Sequence, residues 1–72
     1  MLTETKLINR NPQILGGIPV FMGTRVPVQN LLDYLSGGYS LDEFLDDFPA
    51  VTREQAVQLL ELLKEKLLAQ PL

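Results

Sequence analysis

The segment from Thr52 to Leu68 constrains this chain most, because it combines a strong helix start with the longest apolar repeat. Thr52 is a good N-cap residue, and Gln55 follows at the three-residue spacing of a reciprocal capping box. Apolar residues then recur every three or four positions over about four turns, or roughly 25 Å. This predicted apolar stripe consists of Ala56, Leu59, Leu60, Leu63 and Leu67. The sequence therefore predicts a long amphipathic helix.

This helix is apolar around more of its circumference than a surface helix of a monomer needs. Val57, Leu62 and Leu68 fall outside the stripe, so either other segments of the chain or a second chain must cover them. A chain of 72 residues is near the size at which one core barely offsets chain entropy, and oligomerisation commonly helps. We therefore expect a homo-oligomer, most often a dimer. Leu62, Leu67 and Leu68 are predicted on a partner surface that either a second copy or a different protein would cover.

Composition excludes several classes of site. The chain has no cysteine and no histidine, which removes disulfides, thiolate chemistry and the usual zinc sites. No apolar run approaches the ~18 residues of a membrane span, and residues 1–10 lack the basic start and apolar centre of a signal peptide. We expect a cytoplasmic protein with no metal, no cofactor and no membrane partner.

Charge is unevenly distributed along the chain. Six basic and nine acidic residues give a net charge of −3, the wrong sign for a protein that binds mainly through phosphates. Residues 33–47 contain five carboxylates and no base, whereas residues 1–31 contain three bases and one acid. Any nucleic-acid surface would therefore have to be separate from this acidic segment.

The first 28 residues are predicted to form β-structure. Residues 6–8 are typical of a short strand, and residues 18–28 are typical of a small hairpin that turns at residues 22–24. Two prolines in the hairpin lack N–H donors, which confines it to a sheet edge where a neighbouring strand can pair. The sequence thus predicts a partner contact that includes Val20 and Phe21.

From Val28 onwards the apolar spacing becomes helical. One helix is predicted at about residues 29–36, before a Gly-Gly stop, and a second at about residues 41–48, before Pro49. Ser40 and Glu43 form a second predicted capping box. Three helices with a short connection between the last two match a helix-turn-helix core. We predict one mainly α domain, 1–72, with a β-hairpin region (1–28) before a tri-helical core (29–68).

Catalytic chemistry has little support in the sequence. Neither histidine nor cysteine is available as base or nucleophile, and the adjacent acids Asp46 and Asp47 would point to different faces of a helix. The glycine pairs lack the lysine and the spacing of a phosphate loop. Tyr34 and Tyr39 are predicted at the rim of the core rather than as base-stacking platforms. We predict that the chain is not an enzyme.

The start of the third main helix is the candidate DNA surface. The residues that would face base edges are Thr52, Arg53, Gln55 and Gln58. Arginine suits guanine and glutamine suits adenine, although Glu54 would repel phosphate. The alternative is a solvated helix start that is merely capped. Arg25 could contact a phosphate or could form an ion pair with Asp33 or Asp47.

A set of turn and helix-end motifs spans residues 11–60. These motifs are Pro12, Gly16-Gly17, Pro19-Val20, Gly23-Thr24-Arg25, Val28, Gly37-Gly38 and Phe48-Pro49. In this combination the chain resembles the small bacterial family catalogued as domain of unknown function 433. The resemblance implies a homeodomain-like or winged-helix-like helix-turn-helix fold with an N-terminal β-hairpin.

The resemblance also implies a role among antitoxins of VapB type. Such antitoxins are small and acidic, are encoded beside a PIN-like ribonuclease toxin, and repress their own operon as dimers. The expected partners are therefore a second copy, a PIN-like toxin and operator DNA, with the acidic side facing the toxin and an opposite face meeting DNA. Many antitoxins wrap the toxin with a long tail, so here the contact would come from the globular part or from residues 62–72. The rival hypothesis is a protein–protein interaction module that never touches DNA.

Overall fold

The computed structural model describes residues 4–69. The elements are helix α1 (Glu4–Leu7), strand β1 (Ile8–Asn9), a 3-10 turn (Leu15–Gly17), strand β2 (Val20–Phe21) and helices α2 (Val28–Ser36), α3 (Leu41–Asp47) and α4 (Arg53–Leu68). The prediction of a mainly α fold, with three main helices and a small N-terminal β-structure, is confirmed. Residues 1–3, which belong to the predicted β-hairpin region, lie outside the described residues. Residues 70–72, which belong to the predicted toxin contact, also lie outside them.

Both predicted capping boxes form. Ser40 Oγ accepts from the Glu43 N–H at 3.1 Å, and Glu43 Oε2 accepts from the Ser40 N–H at 2.8 Å. Thr52 Oγ1 accepts from the Gln55 N–H at 3.1 Å, and Gln55 Oε1 accepts from the Thr52 N–H at 3.0 Å. Each box satisfies two N–H groups that a helix start otherwise leaves unpaired. Local sequence therefore sets the starts of α3 and α4.

The N-terminal β-structure differs from the prediction in its pairing. Strand β2 pairs antiparallel with β1, with Ile8 opposite Phe21, whereas the predicted second arm at residues 25–28 makes only a single bridge, Val20 to Pro27. The predicted turn at residues 22–24 does form, with Gly23 at φ 77° and the Thr24 N–H bonded to the Phe21 carbonyl at 3.0 Å. Because Pro27 has no N–H and α2 begins at the next residue, the second arm ends early.

The predicted strand at residues 6–8 is wrong for its first two residues. Lys6 and Leu7 belong to the single-turn helix α1, and extended pairing begins only at Ile8. The helical turn places Leu7 in the core, where α1 packs against α4. Packing against the long helix has overridden a weak local preference for a strand.

The hydrophobic core draws on every helix and on β2. Its buried members are Leu7, Phe21, Val28, Leu31, Phe44, Val51, Ala56, Leu59 and Leu62. Phe21 from β2 and Phe44 from α3 meet near its centre, with ring centroids 6.2 Å apart. Val20 and Phe21 are fully buried, because β1 lies on one side of β2 and residues 26–27 lie on the other. The predicted partner contact at these two residues is therefore wrong for this fold.

Helix α4 buries a narrower stripe than the sequence predicted. Ala56, Leu59 and Leu62 are buried, whereas Leu63 is partly exposed. Leu62 was predicted on a partner surface, and its burial in the chain's own core corrects that prediction. In the carboxyl-terminal half of α4, Leu62 is buried, whereas Leu67 and Leu68 in the last turn are exposed. Within residues 4–69, no helix combines the length and apolarity needed to cross a membrane.

Candidate interaction surfaces

The amino end of α4 is tied to the turn between β2 and α2. Gln55 Nε2 donates to the Met22 carbonyl at 2.9 Å, while the same side chain completes the capping box with Thr52. This contact holds residues 22–25 against the start of α4. Two of the predicted base readers, Thr52 and Gln55, are thus occupied by contacts that hold the fold together.

The remaining predicted base readers also have contacts within the chain. Arg53 forms an ion pair with Asp42 of α3, and both side chains are largely exposed. Gln58 Nε2 donates to Glu54 Oε1 at 3.1 Å, one helical turn away. The guanidinium of Arg53 keeps further N–H donors for a ligand, because it carries five in all. However, two exposed carboxylates now lie beside the positions that were predicted to face DNA.

The predicted ion pair of Arg25 does not form. Asp33 accepts from Gln29 Nε2 at 2.9 Å, and Asp47 accepts from the Tyr34 hydroxyl at 2.7 Å. Arg25 itself is exposed and, within residues 4–69, makes no hydrogen bond or ion pair. Its side chain therefore lies on the same turn that Gln55 holds against α4, with its charge open to solvent.

Four aromatic rings form a continuous cluster from α2 to the end of α3. Tyr34 lies at its centre, with ring centroids 5.3 Å from Tyr39, 5.4 Å from Phe44 and 5.6 Å from Phe48. Phe44 is buried, and Tyr34 lies at the rim of the core as predicted. Tyr39 instead stands outside the core and is 57% exposed. We call the outer part of this cluster, Tyr34, Tyr39 and Phe48 with Asp47 and Glu43, the aromatic–carboxylate patch.

The Tyr34–Asp47 hydrogen bond changes the acidity of the phenol. The bond raises the pKa of Tyr34 above its ordinary value of 10.0, because the hydroxyl donates to the carboxylate and loses that bond on ionisation. Desolvation adds to the rise, as do the charges of Asp47, Tyr39 and Glu43. At neutral pH the phenol is therefore a stable donor that links α2 to α3.

An apolar groove is lined by residues of α4, α2 and the N-terminal β-structure. It has a volume of about 240 Å³ and is lined by Ile8, Arg10, Pro19, Val28, Leu32, Leu59, Leu62, Leu63 and Lys66. We call it the α4 groove. Just beyond it, Leu67 is 65% exposed and Leu68 is 74% exposed. The two predicted partner residues Leu67 and Leu68 are thus at the surface, at the carboxyl end of the helix that forms one wall of the groove.

Comparison with known proteins places the fold in a family. A family model described as "Protein of unknown function (DUF433)" matches residues 8–62. The chain belongs to this family. The match runs from the first residue of β1 to Leu62, so it covers every buried core residue of this DUF433 chain except Leu7 and ends before Leu63, Leu67 and Leu68.

One curated relative is "Uncharacterized protein y4eO" of Sinorhizobium fredii (strain NBRC 101917 / NGR234). It is 36% identical over 50 residues, which cover 69% of the DUF433 chain and 23% of the relative. The chain therefore spans less than a quarter of the length of that relative. No solved structure matches the DUF433 chain.

Proposed function

We propose that this DUF433 chain is an antitoxin-type binding protein that acts through contacts with other proteins, as a dimer. The observation that carries this proposal is the apolar surface at the carboxyl-terminal half of α4. Leu63 lines the α4 groove and is partly exposed, and Leu67 and Leu68 at the carboxyl end of the helix are the most exposed large apolar side chains among residues 4–69. Exposed apolar side chains next to a groove favour a protein partner.

The acidic segment supports a basic partner such as a PIN-like ribonuclease toxin. Asp42, Glu43, Asp46 and Asp47 are all exposed on α3, and Arg53 forms an ion pair with the first of them. Complementary charge speeds association and disfavours wrong partners. In the proposed arrangement α3 faces the toxin while α4 joins the two copies.

Dimer formation is tested by multi-angle light scattering after size exclusion. We expect a dimer for the wild type and a monomer for the double variant Leu67→Ser with Leu68→Ser. Val57→Ser provides a matched control, because Val57 is an exposed apolar residue in the other half of the same helix. A wild-type chain that stays monomeric up to millimolar concentration would contradict the dimer.

The antitoxin role is tested with the product of the adjacent gene. Co-expression should give a complex that purifies together and should protect cells from that product. If the two proteins do not purify together and the cells are not protected, the antitoxin role is contradicted.

DNA binding at α4 is a second candidate, favoured by one contact. The Gln55–Met22 hydrogen bond holds the turn that bears Arg25 against the helix start that bears Arg53. In a gel shift with the upstream operator, Arg53→Ala should weaken binding. Asp42→Asn should strengthen it, because this substitution releases Arg53 and removes a negative charge near phosphate. The absence of any shift at low salt would exclude this candidate.

A further inference from the structure

We propose that the aromatic–carboxylate patch is an anchoring site for an arginine side chain of a partner protein. This inference rests on the proposed function, that the chain acts by binding other proteins, and it names one chemical group that such a partner supplies. The site lies across α2, the loop at Tyr39 and the end of α3, so it is separate from the α4 groove.

The rings of the patch offer uncovered aromatic surface. Tyr39 is 57% exposed and tilts 47° against Tyr34, and Phe48 meets Tyr34 nearly edge-on at 74°. Phe44 is buried in the core and Tyr34 packs against it, whereas most of the Tyr39 side chain is in solvent. Exposed tyrosine next to a packed aromatic base is typical of binding hot spots, because the ring adds contact area with little loss of side-chain entropy.

The charge of the patch selects a cation. Asp47 Oδ2 accepts a hydrogen bond from the Tyr34 hydroxyl, and within residues 4–69 the Asp47 carboxylate makes no other hydrogen bond and no ion pair. Its Oδ1 therefore keeps its acceptor capacity. Glu43, exposed in the first turn of α3, adds a second negative charge to the patch while its Oε2 accepts from the Ser40 N–H. A cation is attracted both by the ring faces and by the carboxylates, whereas phosphate groups would be repelled.

Arginine fits this combination better than lysine. Its planar guanidinium can stack on a tyrosine ring while its N–H groups bond a carboxylate in plane, and it is less strongly hydrated than an ammonium group. The anchor would therefore be one arginine on a basic protein surface, with its guanidinium against Tyr39 and an N–H directed at Asp47 Oδ1.

Intrinsic fluorescence provides a direct readout. The chain has two tyrosines and no tryptophan, so its emission arises only from Tyr34 and Tyr39. The probe is a short peptide that contains two arginines and no aromatic residue. Its comparison peptide carries citrulline at both positions, which keeps the shape and removes the charge. We expect a saturable emission change with the arginine peptide, a weaker response with a lysine peptide and none with citrulline.

Two variants test the roles of the ring and the carboxylate. Tyr39→Leu removes the exposed ring and leaves Tyr34 to report. Asp47→Asn removes the charge but keeps an oxygen acceptor for Tyr34. Each substitution should lower the affinity for the arginine peptide about two- to fivefold. Glu61→Gln, on α4, changes net charge as Asp47→Asn does and should leave the affinity within a factor of about two. Because Tyr39 is mostly exposed, its variant will fold even if Asp47→Asn does not.

The possible outcomes separate this inference from the proposed function. Equal responses to the arginine and citrulline peptides, or an unchanged affinity in Tyr39→Leu, would overturn the anchoring site. If a protein partner is captured and both variants bind it as tightly as the wild type, the anchoring site fails while the proposed function stands. If no partner is captured but the peptide titration behaves as expected, the proposed function fails and the site is retained.

Discussion

Gln55 holds together two parts of the chain that are 33 residues apart, because its Nε2 donates to the Met22 carbonyl at 2.9 Å. The Oε1 atom of the same amide accepts from the Thr52 N–H at 3.0 Å. One side chain therefore completes the cap of α4 and secures the turn that follows β2. This double use explains why the amino end of α4 is fixed against the N-terminal β-structure.

Loss of the Gln55 amide should destabilise the fold. We expect Gln55→Ala to lower the free energy of unfolding by about 1–2 kcal/mol, since a cap and a tertiary hydrogen bond both disappear. Gln55→Glu keeps an acceptor for Thr52 but has no donor for Met22, so its effect should be intermediate. Urea denaturation followed by far-UV circular dichroism measures these differences. Gln58→Ala, which removes an exposed bond within α4, is the control and should cost less than about 0.5 kcal/mol. Equal losses for Gln55→Ala and Gln58→Ala would contradict the assignment.

Truncation of two leucines of α4 to alanine should have very different effects on the free energy of unfolding. Leu62→Ala should cost about 2–5 kcal/mol, because it leaves a cavity in the core. Leu67→Ala should change the stability of the monomer by less than about 0.5 kcal/mol, because its side chain is mostly in solvent. Denaturation at protein concentrations low enough to keep the chain monomeric distinguishes the two. A large loss for Leu67→Ala under these conditions would mean that its surroundings are packed.

The Arg53–Asp42 ion pair should add little to stability. Both groups are largely exposed, so a double-mutant cycle with Arg53→Ala and Asp42→Ala should give a coupling energy below about 1 kcal/mol. The coupling should fall further when salt is raised, since solvent ions screen exposed pairs. A coupling well above this value that persists in high salt would show that the pair is buried in solution.

The Tyr34 phenol should titrate at higher pH than an ordinary tyrosine. In a Tyr39→Phe background, ultraviolet absorbance of tyrosinate reports Tyr34 alone, and we expect a pKa above 10.0. The raised value means that the hydrogen bond to Asp47 stabilises the fold fully below the pKa of unfolded tyrosine. This contribution is lost as the pH rises through the pKa of folded Tyr34.

Removal of the acceptor should reverse that shift. Adding Asp47→Ala to the Tyr39→Phe background should lower the pKa of Tyr34 towards its ordinary value, since the hydrogen bond to Asp47 is the largest cause of the rise. Adding Glu61→Ala instead should leave the pKa where it was. If both additions gave the same pKa, the bond seen between α2 and α3 would not exist in solution.

Most helix ends could be predicted closely because they depend on residues next to them in the sequence. The capping boxes at Ser40 and Thr52 and the glycine stop after Ser36 depend on contacts within four residues of each other. The N-terminal region was predicted less well. Its strands are two residues long, and β2, in the first arm of the predicted hairpin, pairs with β1, while the second arm makes a single bridge. Pairing of such short strands depends on distant packing, which local sequence does not encode.

The candidate surfaces were harder to predict than the helices. Nothing in the local pattern indicates that Gln55 reaches Met22, that Arg53 meets Asp42, or that Leu62 rather than Leu63 is buried. The aromatic–carboxylate patch brings Tyr34 of α2 to Asp47 of α3, 13 residues later, and only their side-chain geometry reveals the hydrogen bond. The sequence showed that residues 33–47 are rich in carboxylates, but it did not show which of these side chains lie together on one surface.

By itself, the sequence determined where α3 and α4 begin and where α2 and α3 end, because capping boxes, glycines and prolines act on the neighbouring backbone. The tertiary structure decided which faces of those helices are left uncovered. Leu67 and Leu68, in the last turn of α4, remain exposed, whereas Val20 and Phe21 are buried because backbone lies on both sides of β2. Whether an apolar side chain lies in the core or at the surface depends on what other segments bring within contact distance, and that is a property of the assembled fold.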